Sequence, residues 1–277
     1  MKALRRLTGK RARIESPVNP RSTPAAPDQS DDPMGIHLDD PEARARLSVF
    51  VTRSYFNTNI VDRPALATLQ MQTEVRKLLK KIGWEKLLTL ANVDGYVRPT
   101  VEFLSTYNLN NNGESFTFRA GKARDFWKQI SNETTYNSSN AKASRIMHPV
   151  LRMVHQIISC VLYPRKTPGS VTQKESSLLH SMTIDESPKQ HSGTWVAQSL
   201  HDLQHRSKRE IHYCGLITLI LLRAGVKIPT IELKASGSNS LTLPVLLNME
   251  MFKESTEGQV WFLSMGDGER TEHICEN

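Results

Sequence analysis

The chain has 277 residues, enough for one large domain or two small ones, and its hydrophobic fraction of 38% is low for a chain packed throughout. A formal charge of +8 and a pI of about 9.4 favour acidic partners, nucleic acid first and a membrane surface second. Three widely spaced cysteines, Cys160, Cys214 and Cys275, do not make a disulfide framework and point to a reducing, intracellular compartment, cytoplasm or nucleus.

The N-terminus carries Lys2, Arg5 and Arg6, but no apolar run follows, so it does not read as a secretory signal. Residues 1–27 hold seven Lys or Arg against Glu15 alone, which is +6 of the total +8. Four prolines from Pro17 to Pro27 follow, and then the acids Asp28, Asp31, Asp32, Asp39, Asp40 and Glu42. Such a stretch buries too little surface to offset its ordering entropy, so residues 1–46 read as a disordered arm, basic and then acidic. Folded sequence is expected from Leu47, with Ser48–Phe56 as a strand or edge segment. From Pro64, the residues Leu66, Leu69, Val75, Leu78, Leu79 and Ile82 keep a helical period that Gly83 ends. Trp84–Leu90 and Pro99–Leu109 read as further helices, Asn110–Gly113 as a turn, and Ser115–Arg119 as a strand. Lys122–Ile130 reads as a helix carrying Phe126, Trp127 and Ile130 inward.

After a polar loop over Thr134–Ser144 comes the clearest helix. His148-Pro149 puts proline at its start, and Val150, Val154, Ile157, Ile158, Val161 and Leu162 form one apolar stripe. Thr172 with Glu175 three residues on is a capping box, opening a helix that buries Leu178, Leu179 and Met182. Thr194–His205 is amphipathic. Tyr213–Ala224 is almost wholly apolar and reads as a buried helix ended by Gly225. Its longest apolar run, Cys214–Leu222, is nine residues, against the roughly 20 that a membrane span needs. Further on, Val245–Phe252 reads as helical and Gln259–Leu263 as extended. The expected fold is therefore mainly α-helical: a multi-helix body over 47–235 with one or two short β segments, a disordered N-terminal arm, and a poorly defined segment over 236–277.

Enzyme chemistry finds little purchase. His201 and His205 stand one helical turn apart, with His212 and Cys214 close behind, and such a set can hold zinc. The run His201-Asp202-Leu203-Gln204-His205 lacks the glutamate that serves as base in a zinc protease, so a zinc-dependent enzyme is the remote alternative. Gly237-Ser238-Asn239-Ser240 lacks the second glycine of a nucleophile elbow, and Gly121-Lys122 lacks the upstream glycine of a phosphate loop. No catalytic residue, cofactor or small-molecule substrate is expected, and no membrane partner. The binding chemistry sits in the arm, where Arg5, Arg6, Lys10, Arg11 and Arg13 can contact RNA or DNA phosphates with little sequence preference; the same run fits a nuclear import signal.

Several segments carry a family resemblance. They are Phe126-Trp127-Lys128-Gln129-Ile130, Thr135–Ser144, Ile146-Met147-His148-Pro149-Val150-Leu151-Arg152, Leu162–Lys166, Val171-Thr172-Gln173-Lys174-Glu175 and Gly215-Leu216-Ile217-Thr218. Over roughly residues 48–235 the chain resembles the first open-reading-frame, gag-like protein of Athila-type plant retrotransposons. The resemblance implies a non-enzymatic structural protein that self-associates and packages element RNA; a host-used nuclear nucleic-acid-binding protein derived from such an element is its neighbour reading. No zinc knuckle can be built from the three cysteines, and the protease Asp-(Thr/Ser)-Gly and reverse transcriptase Tyr-x-Asp-Asp signatures are missing, which implies a truncated or decayed copy.

Overall fold

The computed structural model describes residues 34–108, 120–131, 133–137, 141–165, 169–184, 191–205, 210–229 and 231–248, together with strands at 252–254, 260–265 and 270–274; for residues 120–124 and from 248 onward the description is of backbone only. The chain divides into two units, Met1–Gly35 and Ile36–Asn277, and the architecture below is that of the second.

Folded sequence starts earlier than Leu47. Helix α1 (Pro41–Phe50) opens on Asp40, whose carboxylate accepts the backbone N–H of Glu42 and of Ala43, and Pro41 occupies the first turn. Its inward residues Ala43, Leu47 and Phe50 are all buried. Asp40 and Glu42, which read as part of the tail, are thus helix-start chemistry, and the expected strand over Ser48–Phe56 shrinks to β1 (Ser54–Tyr55). The next helical stretch is also cut. Helix α2 (Arg63–Thr68) is capped by Asp62, and Gln70 then takes a left-handed φ of 53° before α3 (Gln72–Lys81). A left-handed glutamine leaves no mark in the hydrophobic pattern, which is why one helix was expected there. Gly83, at φ 81°, does end α3, and a 3-10 turn follows over Glu85–Thr89.

Helix α4 spans Val97–Thr106 and α5 spans Ala120–Ile130. The strand expected at Ser115–Arg119 lies outside the described residues. Helix α6 (Pro149–Ile157) passes into a single π-helical turn, Ile158–Leu162, in which the Tyr163 N–H reaches back to the Ile158 carbonyl at 3.1 Å. Every residue from Val150 to Leu162 is buried, so the expected single stripe is in fact a helix enclosed on all sides. Helix α7 (Gln173–Thr183) starts on the expected capping box, with both reciprocal bonds present. Helices α8 (Ser192–Gln204), α9 (Cys214–Arg223) and α10 (Leu243–Asn248) complete the set among the described residues. The helix expected over Val245–Phe252 stops at Asn248, and Phe252 belongs to a strand.

Packing follows two chains of contact. Helix α1 lies on α4, and α4 on α9; α3 lies on α6 and α7, while α5 and α6 both pack on α7. The main core joins Val75, Leu79 and Ile82 of α3 to Trp127, Ile146, Val154, Ile157, Val161 and Leu178, all fully or almost fully buried. Trp195 of α8 and Trp84 meet edge to face at 6.0 Å on its rim.

The β content is slight but spread along the chain. Strand β1 pairs in parallel with β3 (Glu210–Ile211), and β2 (Ile60–Val61) pairs in parallel with β4 (Ser240–Leu241). A bridge from Phe56 to Ser236 joins the two pairs, so the extended segment 54–61 is laid along residues from distant parts of the chain. Strands β5 (Phe252–Glu254), β6 (Val260–Met265) and β7 (Arg270–Ile274) form a three-stranded antiparallel sheet, and the extended run expected from Gln259 falls on β6.

Candidate functional site

The five arm residues expected to meet nucleic acid, Arg5, Arg6, Lys10, Arg11 and Arg13, lie outside the described residues. The candidate zinc set can be placed. His201 and His205 face each other edge to face, with ring centroids 4.8 Å apart. His212 instead stacks flat on Phe56 at 4.7 Å, with Nε2 3.6 Å from a Glu210 carboxylate oxygen. Cys214 is buried at the start of α9, where burial pushes its thiol up to about 12 against hydrogen bonds that include one from Thr100. Among the described residues, no three His, Cys, Asp or Glu side chains converge in a way that could hold a metal ion. The other described cysteine, Cys160, is likewise held up to about 12 by burial and accepts a hydrogen bond from the Gln156 amide at 3.2 Å.

The motifs from Phe126 to Glu175 interlock. The indole N–H of Trp127 donates to Glu133 at 2.8 Å, its ring meets Tyr136 edge to face, and the Tyr136 hydroxyl donates to the Val171 carbonyl at 3.1 Å. The backbone N–H of Val171 reaches the Ala141 carbonyl, and that of Ala143 reaches Gly169. Arg152 is almost fully buried, and its guanidinium folds back onto the carbonyls of Ile146 and Ser144. Burial lowers its pKa to about 10, so it stays a cation, and these carbonyl oxygens help to hold it. Tyr136 and Arg152 thus each tie their own segment to the backbone of another.

Glu175 is the densest node of this region. It is fully buried at the third position of α7, and its Oε2 accepts the Thr172 N–H at 2.7 Å, an Arg165 N–H at 3.0 Å and lies 3.4 Å from His155 Nε2. Burial by itself would raise this carboxyl, but His155, Arg165 and the Thr172 N–H together outweigh it and hold the acid down to about 2. A carboxylate so fully enclosed has no route to substrate. A groove of about 550 Å³, open and mostly apolar, is lined by Gln129, Ile130, Met147, His148, Pro149 and Leu151.

A second knot went unseen in the sequence. The Asn57 carbonyl oxygen accepts the Gly95 N–H at 2.6 Å, while its amide donates to the carbonyls of Ala235 and Gly237. Thr58 donates to the His212 carbonyl and accepts the Leu216 N–H, so it caps the first turn of α9 from outside the helix. Gly95 lies so close to α9 that a Cβ there would sit 2.3 Å from the Cys214 Cβ. Gly215 and Thr218 of the Gly-Leu-Ile-Thr segment take part in the same contact, Thr218 accepting the Tyr96 N–H at 3.3 Å. Only the glycine and the Asn-Thr pair could have signalled it, and neither is periodic.

Helix α9 is buried only through Thr218. Beyond it, large apolar side chains come to the surface: Leu222 at 46% exposure, Val226 at 44%, Ile231 at 93% and Leu233 at 70%. Residues 233–235 are hydrogen-bonded to 95–97, flanked by the ion pairs Lys234–Asp94 and Arg98–Glu232. No helix among the described residues is long and apolar enough to cross a membrane.

Comparison with known proteins gives one match. Residues 110–186 fit the model of the ATHILA ORF-1 family, a span that takes in α5, α6 and α7 and with them the interlocked motifs and the Glu175 node. The Gly-Leu-Ile-Thr segment at 215–218 and the rest of the wider resemblance fall outside it. No curated protein and no solved structure matches the chain. The match over residues 110–186 supports assigning this segment to the ATHILA ORF-1 family.

Proposed function

We propose that the chain is a gag-like structural protein, without catalytic activity, that self-associates inside the cell and packages the RNA of its element. The family match over residues 110–186 carries this reading. Two features support it. Residues 1–27 concentrate +6 of the chain's charge, suited to phosphate contacts that release counterions. The exposed large apolar side chains Leu222, Val226, Ile231 and Leu233 are of the kind that a second copy of the chain covers in an assembly.

The test is light scattering on the full chain across a concentration series, with and without RNA at low salt. Mass that grows with concentration, and grows further with RNA, is the expected result. A strict monomer indifferent to RNA overturns the reading. Ile231→Asp with Leu233→Asp is expected to lower the assembled mass while leaving the far-ultraviolet circular dichroism unchanged, since both side chains are outside the core.

A further inference from the structure

Helix α3 and the turn after it, residues 72–86, carry five cations, Arg76, Lys77, Lys80, Lys81 and Lys86, against two acids, Glu74 and Glu85. The helix turns its apolar residues Val75 and Leu79 into the core, together with Ile82 at its end. Arg76, Lys77 and Lys80 are exposed and Lys81 half-exposed. On a helix, residues four apart are neighbours at about 5–6 Å between Cβ atoms. Arg76 with Lys80 and Lys77 with Lys81 therefore make two adjacent rows, a two-by-two grid of positive charge. Lys77 makes a loose pair to Glu74 at 4.0 Å, and Lys81 has an interaction of its own. Among the described residues, Arg76 and Lys80 have no ion-pair partner. Favourable placement of cations at a helix C-terminus accounts for Lys80 and Lys81, but not for Arg76 and Lys77 one turn earlier.

We propose that this outer face of α3 is a contact for the RNA backbone, built on the folded body and separate from the arm. The proposal rests on the RNA-packaging reading. A bilayer fits less well, because a helix lying on a membrane inserts an apolar face. The apolar face of α3 is already spent on α6 and α7, and none of the exposed large hydrophobic residues belongs to it. A phosphodiester chain needs only a row of charges of suitable spacing, with long flexible side chains to follow it.

The experiment uses the full chain and a labelled oligouridine, with affinity followed by anisotropy through a salt titration. Four proteins are compared: the parent; an arm variant with Arg5, Arg6, Lys10, Arg11 and Arg13 changed to Gln; an α3 variant with Arg76→Gln, Lys77→Gln, Lys80→Gln and Lys81→Gln; and the two sets combined. Each lost phosphate contact lowers the slope of log affinity against log salt by about 0.7 for a single strand, so the α3 set is expected to lower it by up to about 3. The arm variant is expected to keep binding that the combined variant loses. A charge-preserving set, Lys77→Arg, Lys80→Arg and Lys81→Arg, is expected to keep the parent slope. An α3 variant with the parent slope overturns the proposal while leaving packaging through the arm intact. A parent that ignores oligouridine overturns both. Loss confined to phosphatidylserine vesicles, with oligouridine binding unchanged, assigns the face to a membrane and overturns the proposal as well.

Discussion

Two sets of charged side chains in this protein stand on elements that pack together and serve opposite ends. In the family-matching segment, Arg152, Arg165 and Glu175 point inward, and their partners include backbone carbonyls, a backbone N–H, the His155 ring and, for Arg165 and Glu175, each other. On α3, which packs directly on α6 and α7, Arg76, Lys77 and Lys80 point outward. A buried charge must be fully paired to be tolerated, so the inner set fixes one arrangement of the chain. An exposed charge is held loosely and stays available to a partner. Residue type alone does not separate the two; the depth of the helix face does.

The contrast breaks most sharply at Glu175. Glu175→Ala is expected to destabilise the body by about 3–5 kcal/mol, because it removes the capping partner of Thr172 and leaves the enclosed His155 and the half-buried Arg165 without their carboxylate. Denaturant titration reads this as a lower midpoint. The acid limb follows from the same residue. The carboxyl is held at about 2 in the folded chain against an ordinary 4.5, so the unfolded chain takes up the proton first. Its stabilisation is complete above about 4.5 and is lost as the pH falls toward about 2, and Glu175→Gln is expected to flatten that part of the stability profile.

Next in size is Arg152→Met, which keeps much of the volume and removes the donors to the Ile146 and Ser144 carbonyls; about 2–3 kcal/mol is expected from thermal or chemical unfolding. Gly95→Ala tests the second knot. Its methyl would collide with Cys214 and Gly215, and relief by backbone shifts is expected to cost about 1–3 kcal/mol. At the small end, Arg76→Gln with Lys80→Gln is expected to change stability by no more than about 0.5 kcal/mol, since neither side chain has an ion-pair partner among the described residues. A large loss there would mean that the outer set is structural too, and the comparison would collapse.

What could be seen in advance was local. Pro149 and the apolar residues behind it, Thr172 with Glu175, and the stops at Gly83 and Gly225 all state their structure within a few residues, and the helices lie where they were expected. The left-handed turn at Gln70 is local as well, but glutamine does not advertise it. Helix α1 was hidden because its cap and first-turn acids share a composition with a solvated tail. Glu175 could be read as a cap but not as an ion-pair centre, since His155 and Arg165 reach it from α6 and from the loop beyond that helix's π-helical turn. The outer face of α3 was legible as charge and passed over in favour of the denser arm.

The parallel pairing of residues 54–61 has a consequence for how the chain comes off the ribosome. Strands β1 and β2 are made early, yet their partners at 210–211 and 240–241 emerge after more than half of the polypeptide has followed. Until then Asn57 and Thr58 have neither the Gly237 carbonyl nor the Leu216 N–H to bind. Pairings so distant in sequence form slowly, and the unpaired edges wait exposed. A stop codon anywhere before Leu241 would therefore do more than shorten the protein: it would strand the front of the body in the nascent state, without the back half that closes it.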